Sequence, residues 1–242
     1  MQRDPISDSV ARFGIGYVVF NDHLPHAALA AGKRPPRLTG QALKSGRSPE
    51  DHLALMHRLH GQASGVPAAL DALAARWAAA GVILGSHDDA TAADRAAWRK
   101  RGVAVSEFPE THAAAAAARQ GGDRVVLGAP NVVRGGSHSG NVAAADLVMA
   151  GLCDALASDY HYPAPRQAAL MLADRLGLAA AWDLVASGPA RLLGLTDRGR
   201  LAPGLRADLV VMDTTGHVGA TIAGGRITHM SGAVAARFIA SA

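Results

Sequence analysis

Short apolar runs that end in polar residues alternate along the chain with longer, alanine-rich stretches. The apolar runs are "IGYVVFNDH", "VILGSHDD", "VAVSEFP", "RVVLGAPN" and "CDALASDY". Each is followed by at least one stretch with helical spacing, such as "ETHAAAAAARQGG". Strand-then-helix units in succession are typical of parallel strands joined by helical crossovers. The sequence therefore predicts an α/β fold.

Helix boundaries can be predicted at two places. "SPEDHLALMHRLHG" has Ser48 as N-cap and Pro49 at the first helical position. "TAADRAAWRKRG" has Thr91 as its cap. The stretch "PRLTGQALKSGRSPE", residues 36–50, is predicted to be the longest structureless segment, a functional or mobile loop.

The hydrophobic pattern changes after about Leu195. Short β-type runs and glycine turns replace the longer helical stretches, and "DLVVMD" and "ATIAGGRIT" are predicted to be antiparallel strands. We therefore predict two domains: a (β/α) portion over residues 1–194 and a small C-terminal β-subdomain over residues 195–242.

Composition narrows the classes of partner. With 18% charged residues the chain is not disordered, and its net charge of +4 suits an anionic ligand. Aromatic residues make up 4% and no basic tract follows one helix, so we expect no nucleic-acid partner. No apolar run is long enough to cross a bilayer and no signal peptide is evident, so we expect no membrane association and a cytoplasmic location. Cys153 is the single cysteine of the chain. Its neighbours Leu152 and Ala155 are apolar, so it is predicted to be a buried structural thiol.

Polar residues follow the predicted strands, where parallel folds bind ligands. Imidazoles and carboxylates recur at these ends, and together they suit zinc, with manganese or iron as alternatives. The residues are His23, His87, Glu107, Asn131 and Asp159.

Each of these residues also has a purely structural interpretation. His23 and His87 can hydrogen-bond to nearby loops. Asp22, Asp88 and Asp89 can cap the next helix, and one of Asp88 and Asp89 is predicted to do so. His52, His57 and His60 lie in or beside one helix and indicate a solvated face. The histidines that show no pattern are His26, His112, His217 and His229.

The block "GAPNVVRGGSHSGN", residues 128–141, is either a long connection or an anion cradle. Glycines let backbone N–H groups approach a ligand, and an arginine can bind a phosphate with two hydrogen bonds. The predicted phosphate contacts in the block are Asn131, Arg134, Gly135, Gly136, Ser137 and Ser139. In the long loop after the first predicted strand, Lys44 and Arg47 either fold over a polyphosphate or belong to a basic surface loop.

The motifs "SHDDAT", "EFPET", "GAPNVVRGGSHSGN" and "ASDY", in this order, resemble the alpha-D-ribose 1-methylphosphonate 5-triphosphate diphosphatases, the PhnM family of the amidohydrolase superfamily. The resemblance implies a (β/α)8 TIM barrel with a divalent metal. It also implies hydrolysis of a ribosyl triphosphate to the 5-phosphate and pyrophosphate in the carbon–phosphorus lyase pathway.

The resemblance also implies residue roles. Asp159 would bind metal and take a proton from water, while His23, His87 and Glu107 would complete the metal ligands. His138 and Arg134 would stabilise charge on the transferred phosphoryl group.

Relative to the superfamily, the strand beginning at Ile15 corresponds to the fourth of the barrel, so we expect a barrel that lacks its first strands. Three explanations stay open: the chain is a fragment, it comes from a truncated gene model, or it completes itself as a homo-oligomer. Two other functions stay open. One is an amidohydrolase that cleaves C–N bonds of a cyclic amide or nucleobase. The other is an inactive remnant that binds a phosphorylated ligand.

Overall fold

The computed structural model describes residues 4–136 and 140–239. The chain divides into two compact units, Met1–His87 with Lys100–Val103, and Asp88–Arg99 with Ala104–Ala242. The parallel sheet has the strand order β1-β2-β3-β4-β5, and a separate sheet has the order β6-β7-β8. The predicted α/β class and the small antiparallel sheet are thus confirmed.

The first unit contains two parallel strands and most of the early helices. Tyr17 pairs with Ile83 and Phe20 with Ser86, so both strands end at the same edge. The elements are α1 (Pro5–Arg12), β1 (Tyr17–Phe20), α2 (His26–Ala30), α3 (Leu38–Lys44), α4 (Pro49–Gly61), the 3-10 turn Ala63–Gly65, α5 (Val66–Ala79) and β2 (Ile83–His87).

One prediction fails in this unit. The stretch predicted to be structureless forms α3, because Leu38 and Ala42 on one face of that helix are almost completely buried. Leu38 joins a small core with Leu29 and Met56. The predicted cap of α4 is confirmed, since Ser48 Oγ accepts a hydrogen bond from Asp51 N–H.

The second unit carries three parallel strands with helices between them, then the small sheet. Its elements are α6 (Ala92–Lys100), β3 (Val105–Glu107), α7 (His112–Gln120), β4 (Arg124–Gly128), α8 (Ala129–Arg134), α9 (Ala144–Met149), β5 (Ala155–Ala157), α10 (Ala164–Leu176), α11 (Leu178–Asp183), α12 (Ser187–Leu192), β6 (Leu209–Met212), β7 (Val218–Ala223), β8 (Arg226–Met230) and α13 (Gly232–Ile239).

The core of this unit is built from small and branched side chains. Val125 and Leu127 of β4 are buried together with Leu147 of α9 and Leu172 of α10. Ala115 and Ala118 on α7 are fully buried, so this alanine-rich helix packs through its smallest side chains. A well-packed core of this kind fixes where each parallel strand ends.

Thr91 caps α6 as predicted: its Oγ1 accepts from Asp94 N–H, and Asp94 accepts from Thr91 N–H. This reciprocal pair is a capping box. The predicted structural role of Cys153 is also supported, because burial, with the nearby Asp154 carboxylate, raises the pKa of its thiol to about 12. Among the described residues, no helix is long and apolar enough to cross a membrane.

Candidate functional site

His23 and His87 meet at the common edge of β1 and β2. Their rings lie edge to face, with centroids 5.3 Å apart. His87 is the last residue of β2 and half-buried, whereas His23 is exposed and lies three residues beyond β1. Asp88 is the next residue in the chain after His87. One potential ligand atom from each of His23, His87 and Asp88 lies within 4.8 Å of the other two.

Two imidazoles and one carboxylate of this spacing form a donor set that suits a divalent transition metal. The structure thus brings together His23 and His87, as the sequence predicted. It adds Asp88, one of the two residues of which one was predicted to cap the next helix. The backbone of Asp88 is left-handed, with φ 59°, and its N–H donates to the carbonyl of Glu107.

The prediction that Asp88 or Asp89 caps the next helix is wrong, because Thr91 caps α6, and Asp22 does not cap α2 either. Asp89 is buried, where its carboxylate accepts from Arg95 Nη1 at 3.0 Å and from Ser106 Oγ at 2.6 Å. Asp22 accepts from Leu24 N–H within a turn before α2. The buried Asp89 therefore fixes the turn that follows β2.

A second pair of histidines was not predicted. His26 Nδ1 and His60 Nδ1 are 2.8 Å apart, so one ring donates a hydrogen bond to the other. On its other side, His26 Nε2 lies 3.0 Å from Asp22 Oδ2. Burial alone would raise the pKa of the Asp22 carboxyl, but hydrogen bonds from Leu24 N–H and His26 outweigh it and lower the pKa. The cluster joins α2 to α4 and corrects the prediction that His60 lies on a solvated face. Only the pairing of residues distant in sequence reveals it.

Glu107 and Asp159 also lie at strand ends. Glu107 is the last residue of β3 and half-buried. Asp159 is exposed, lies two residues beyond β5 and has a left-handed φ of 49°. Left-handed non-glycine residues cost energy and cluster at functional sites. Asp88, Phe108 and Asp159, all just beyond strand ends, adopt this conformation.

The glycine-rich block is not a loop throughout. Its first part forms α8, because Ala129, Pro130 and Val132 are buried against the core. The helix ends at Gly135, whose φ of 77° favours glycine and whose N–H donates to Val132 C=O. Gly136 N–H donates to Asn131 C=O.

Hydrogen bonds also hold the end of the block. Asn131 Oδ1 accepts from Ala144 N–H at 2.9 Å, where Ala143 offers no side-chain cap to α9. Asn141 Nδ2 donates to Glu110 Oε1 at 3.1 Å. Glu110 N–H donates in turn to Asp89 C=O. Glu110 thus links the segments after β2 and β3 to the end of the block, a role that its sequence position does not signal.

Arg134 lies at the end of α8, with its guanidinium carbon 5.6 Å from the centre of the Tyr160 ring. Tyr160 follows Asp159 directly, so Arg134 contacts the residue next to a predicted catalytic residue. Ser137, His138 and Ser139 lie outside the described residues. Lys44 and Arg47 are exposed in the first unit, at and just after the end of α3.

A cavity of about 550 Å³ lies elsewhere in the second unit, lined by Trp182, Leu193 and Val210 among others.

Comparison with known proteins finds a curated relative. The chain is 47% identical over 156 residues to the alpha-D-ribose 1-methylphosphonate 5-triphosphate diphosphatase of Escherichia coli strain K12, a match that covers 58% of this chain and 41% of that protein. The chain therefore spans less than half the length of this curated relative. No family model matches.

Solved structures show the same fold. An amidohydrolase matches with a TM-score of 0.54 at 17% identity, over 67% of this chain and 48% of the other. N-acetyl-D-glucosamine-6-phosphate deacetylase from Mycobacterium smegmatis matches with a TM-score of 0.51 at 22% identity, over 66% of this chain and 51% of the other. The chain thus has an amidohydrolase-type α/β fold and is similar in sequence to the diphosphatase that its motifs indicated.

Proposed function

We propose that the chain hydrolyses alpha-D-ribose 1-methylphosphonate 5-triphosphate to the 5-phosphate and pyrophosphate, as a step of phosphonate catabolism by the carbon–phosphorus lyase pathway. The observation that carries the proposal is the 47% identity to the Escherichia coli diphosphatase. The basic and glycine-rich residues of the site support it, because a triphosphate is strongly anionic. We also propose a cytoplasmic location and assembly of a homo-oligomer.

We propose that His23, His87 and Asp88 hold a divalent metal, with zinc as the first choice and manganese or iron as alternatives. The donor set fits such an ion, since its ligand atoms lie within 4.8 Å of one another. A bound ion supplies Lewis-acid activation of water and of phosphoryl oxygen. Glu107, at the next strand end, is proposed as a further ligand.

The residues proposed as general base and as phosphate contacts lie mostly beyond the other strands. Asp159 is exposed, so its carboxylate is accessible to solvent and can take the proton from the attacking water. Water adds to phosphorus as a P–O–P bridge breaks, and pyrophosphate leaves. We propose that Arg134 and Asn131 bind the phosphates, together with Ser137, Ser139, His138, Lys44 and Arg47. Gly135 and Gly136 are proposed to line the phosphate site, because a backbone without Cβ atoms can approach a ligand closely.

The test is an assay of the metal-supplemented chain for pyrophosphate release from the ribosyl triphosphate. We expect pyrophosphate from the wild type, and a loss of turnover of at least about a hundredfold in Asp159→Asn, the scale of one acid–base group. Asp146→Asn, on α9, is the control and should retain turnover. Ammonia release from cyclic amides or nucleobases without pyrophosphate release would favour the C–N hydrolase instead. Binding of tripolyphosphate without any turnover would favour the inactive remnant.

A further inference from the structure

The Arg134 side chain is held by a different kind of contact from those of Arg99 and Arg119. Arg99 and Arg119 use their N–H groups on the carboxylates of Asp123 and Asp154. Within residues 4–136 and 140–239, the Arg134 guanidinium has no hydrogen bond or ion pair, and the Tyr160 ring is its neighbour. Its N–H groups are therefore available to a ligand.

The contact of the Arg134 guanidinium with the Tyr160 ring is a cation–π contact, which decides whether the N–H groups are used. A cation over an aromatic ring is attracted by the electron density of the ring face. The five N–H donors of a guanidinium lie in its own plane and point outward. A contact with the ring therefore holds the charge without using any donor, and a phosphate can still accept two hydrogen bonds.

Backbone hydrogen bonds hold the segments that carry both residues. Arg134 ends α8, where Gly135 N–H and Gly136 N–H bond back to the helix carbonyls. Tyr160 follows the left-handed Asp159 in a turn closed by the hydrogen bond from His161 N–H to Ser158 C=O. The Tyr160 side chain is 63% exposed, so its ring contributes little to the core.

We propose that Tyr160 is a positioning residue that holds the Arg134 guanidinium over its ring, beside Asp159, for bidentate binding of the substrate's polyphosphate chain. The inference rests on the proposed function and deepens it. It assigns the phosphate contact to one arginine and the positioning of that arginine to an aromatic ring. The tyrosine hydroxyl is not needed for this role.

The test compares Tyr160→Phe, Tyr160→Leu and Arg134→Ala in the full chain. Two quantities are measured: the Kd for tripolyphosphate by calorimetry, and KM and kcat for the ribosyl triphosphate. We expect Tyr160→Leu to raise Kd and KM about 2- to 5-fold, the scale of an exposed cation–π contact, with kcat unchanged. Tyr160→Phe should match the wild type, because the ring remains. Arg134→Ala should weaken binding about tenfold or more, the scale of lost charge-assisted hydrogen bonds.

The double variant separates positioning from a direct contact. If Tyr160 acts through Arg134, adding Tyr160→Leu to Arg134→Ala changes Kd no further. Wild-type binding in Tyr160→Leu, or additive effects in the double variant, would overturn the inference while leaving the proposed function intact. A wild-type chain that neither binds tripolyphosphate nor releases pyrophosphate would overturn both. Thermal unfolding of Tyr160→Leu at the wild-type midpoint establishes that the change is local.

Discussion

At the scale of single residues, the pair formed by Asp89 and Arg95 is the strongest constraint beside the site. Both side chains are excluded from solvent, and their charged atoms are 3.0 Å apart. Arg95 also pairs with Asp123 and donates to the carbonyl of Val105. Asp89 follows His87 and Asp88 along the chain, so this network fixes the turn that bears two proposed metal ligands.

Breaking that pair should destabilise the protein strongly. Asp89→Asn leaves Arg95 buried with one carboxylate fewer, and we expect it to lower the free energy of unfolding by about 3–5 kcal/mol. Urea denaturation measures the difference. Asp71→Asn is the control, because Asp71 is 60% exposed where it pairs with Arg101, and exposed pairs contribute about 1 kcal/mol or less. Equal losses in the two variants would contradict the assignment of Asp89 as a buried anchor.

At the scale of elements, the glycine-rich block depends on the bond from Ala144 N–H to Asn131. α9 has no side-chain cap of its own, and Asn131 Oδ1 supplies the acceptor from α8. We expect Asn131→Ala to lower the free energy of unfolding by about 1 kcal/mol, as for other lost caps. Asn131→Asp keeps the oxygen and should recover most of that stability. Urea denaturation measures the free energy of unfolding. A similar loss in both variants would show that the Asn131 Oδ1 acceptor does not stabilise α9.

The elements also show which predictions the sequence supports. Helices with strong local signals, such as those capped by Ser48 and Thr91, are where the sequence places them. α3 was missed because basic residues and glycines lie within and around its seven residues, and such a pattern is typical of a loop. The burial of Leu38, which stabilises the helix, depends on Leu29 and Met56 elsewhere in the chain. α8 was missed because the glycines of the block conceal an apolar first turn.

Some residues of the candidate site could also be predicted from the sequence, and others could not. Parallel strands bring their ends to one edge, so His23 and His87 could be predicted from their positions after two apolar runs. The roles of Glu110 and Tyr160 could not, because each depends on a partner far away in sequence: Asn141 for Glu110, and Arg134 for Tyr160. The hydrogen bond between His26 and His60 escapes sequence analysis for the same reason.

At the scale of the whole molecule, a bound metal should appear as stability, because an ion that binds only the folded chain stabilises it by mass action. At an ion concentration of about 100 times Kd this amounts to about 2.7 kcal/mol, or about 5–10 °C in the midpoint of a chain of this size. We expect zinc to raise the midpoint of the wild type by that amount and to leave His87→Ala unchanged. His57→Ala removes an exposed histidine of α4 and should respond like the wild type. Manganese and iron, tested in parallel, rank the metals. If all three leave the wild type unchanged, or if His87→Ala responds as fully as His57→Ala, the ion does not bind at His23, His87 and Asp88.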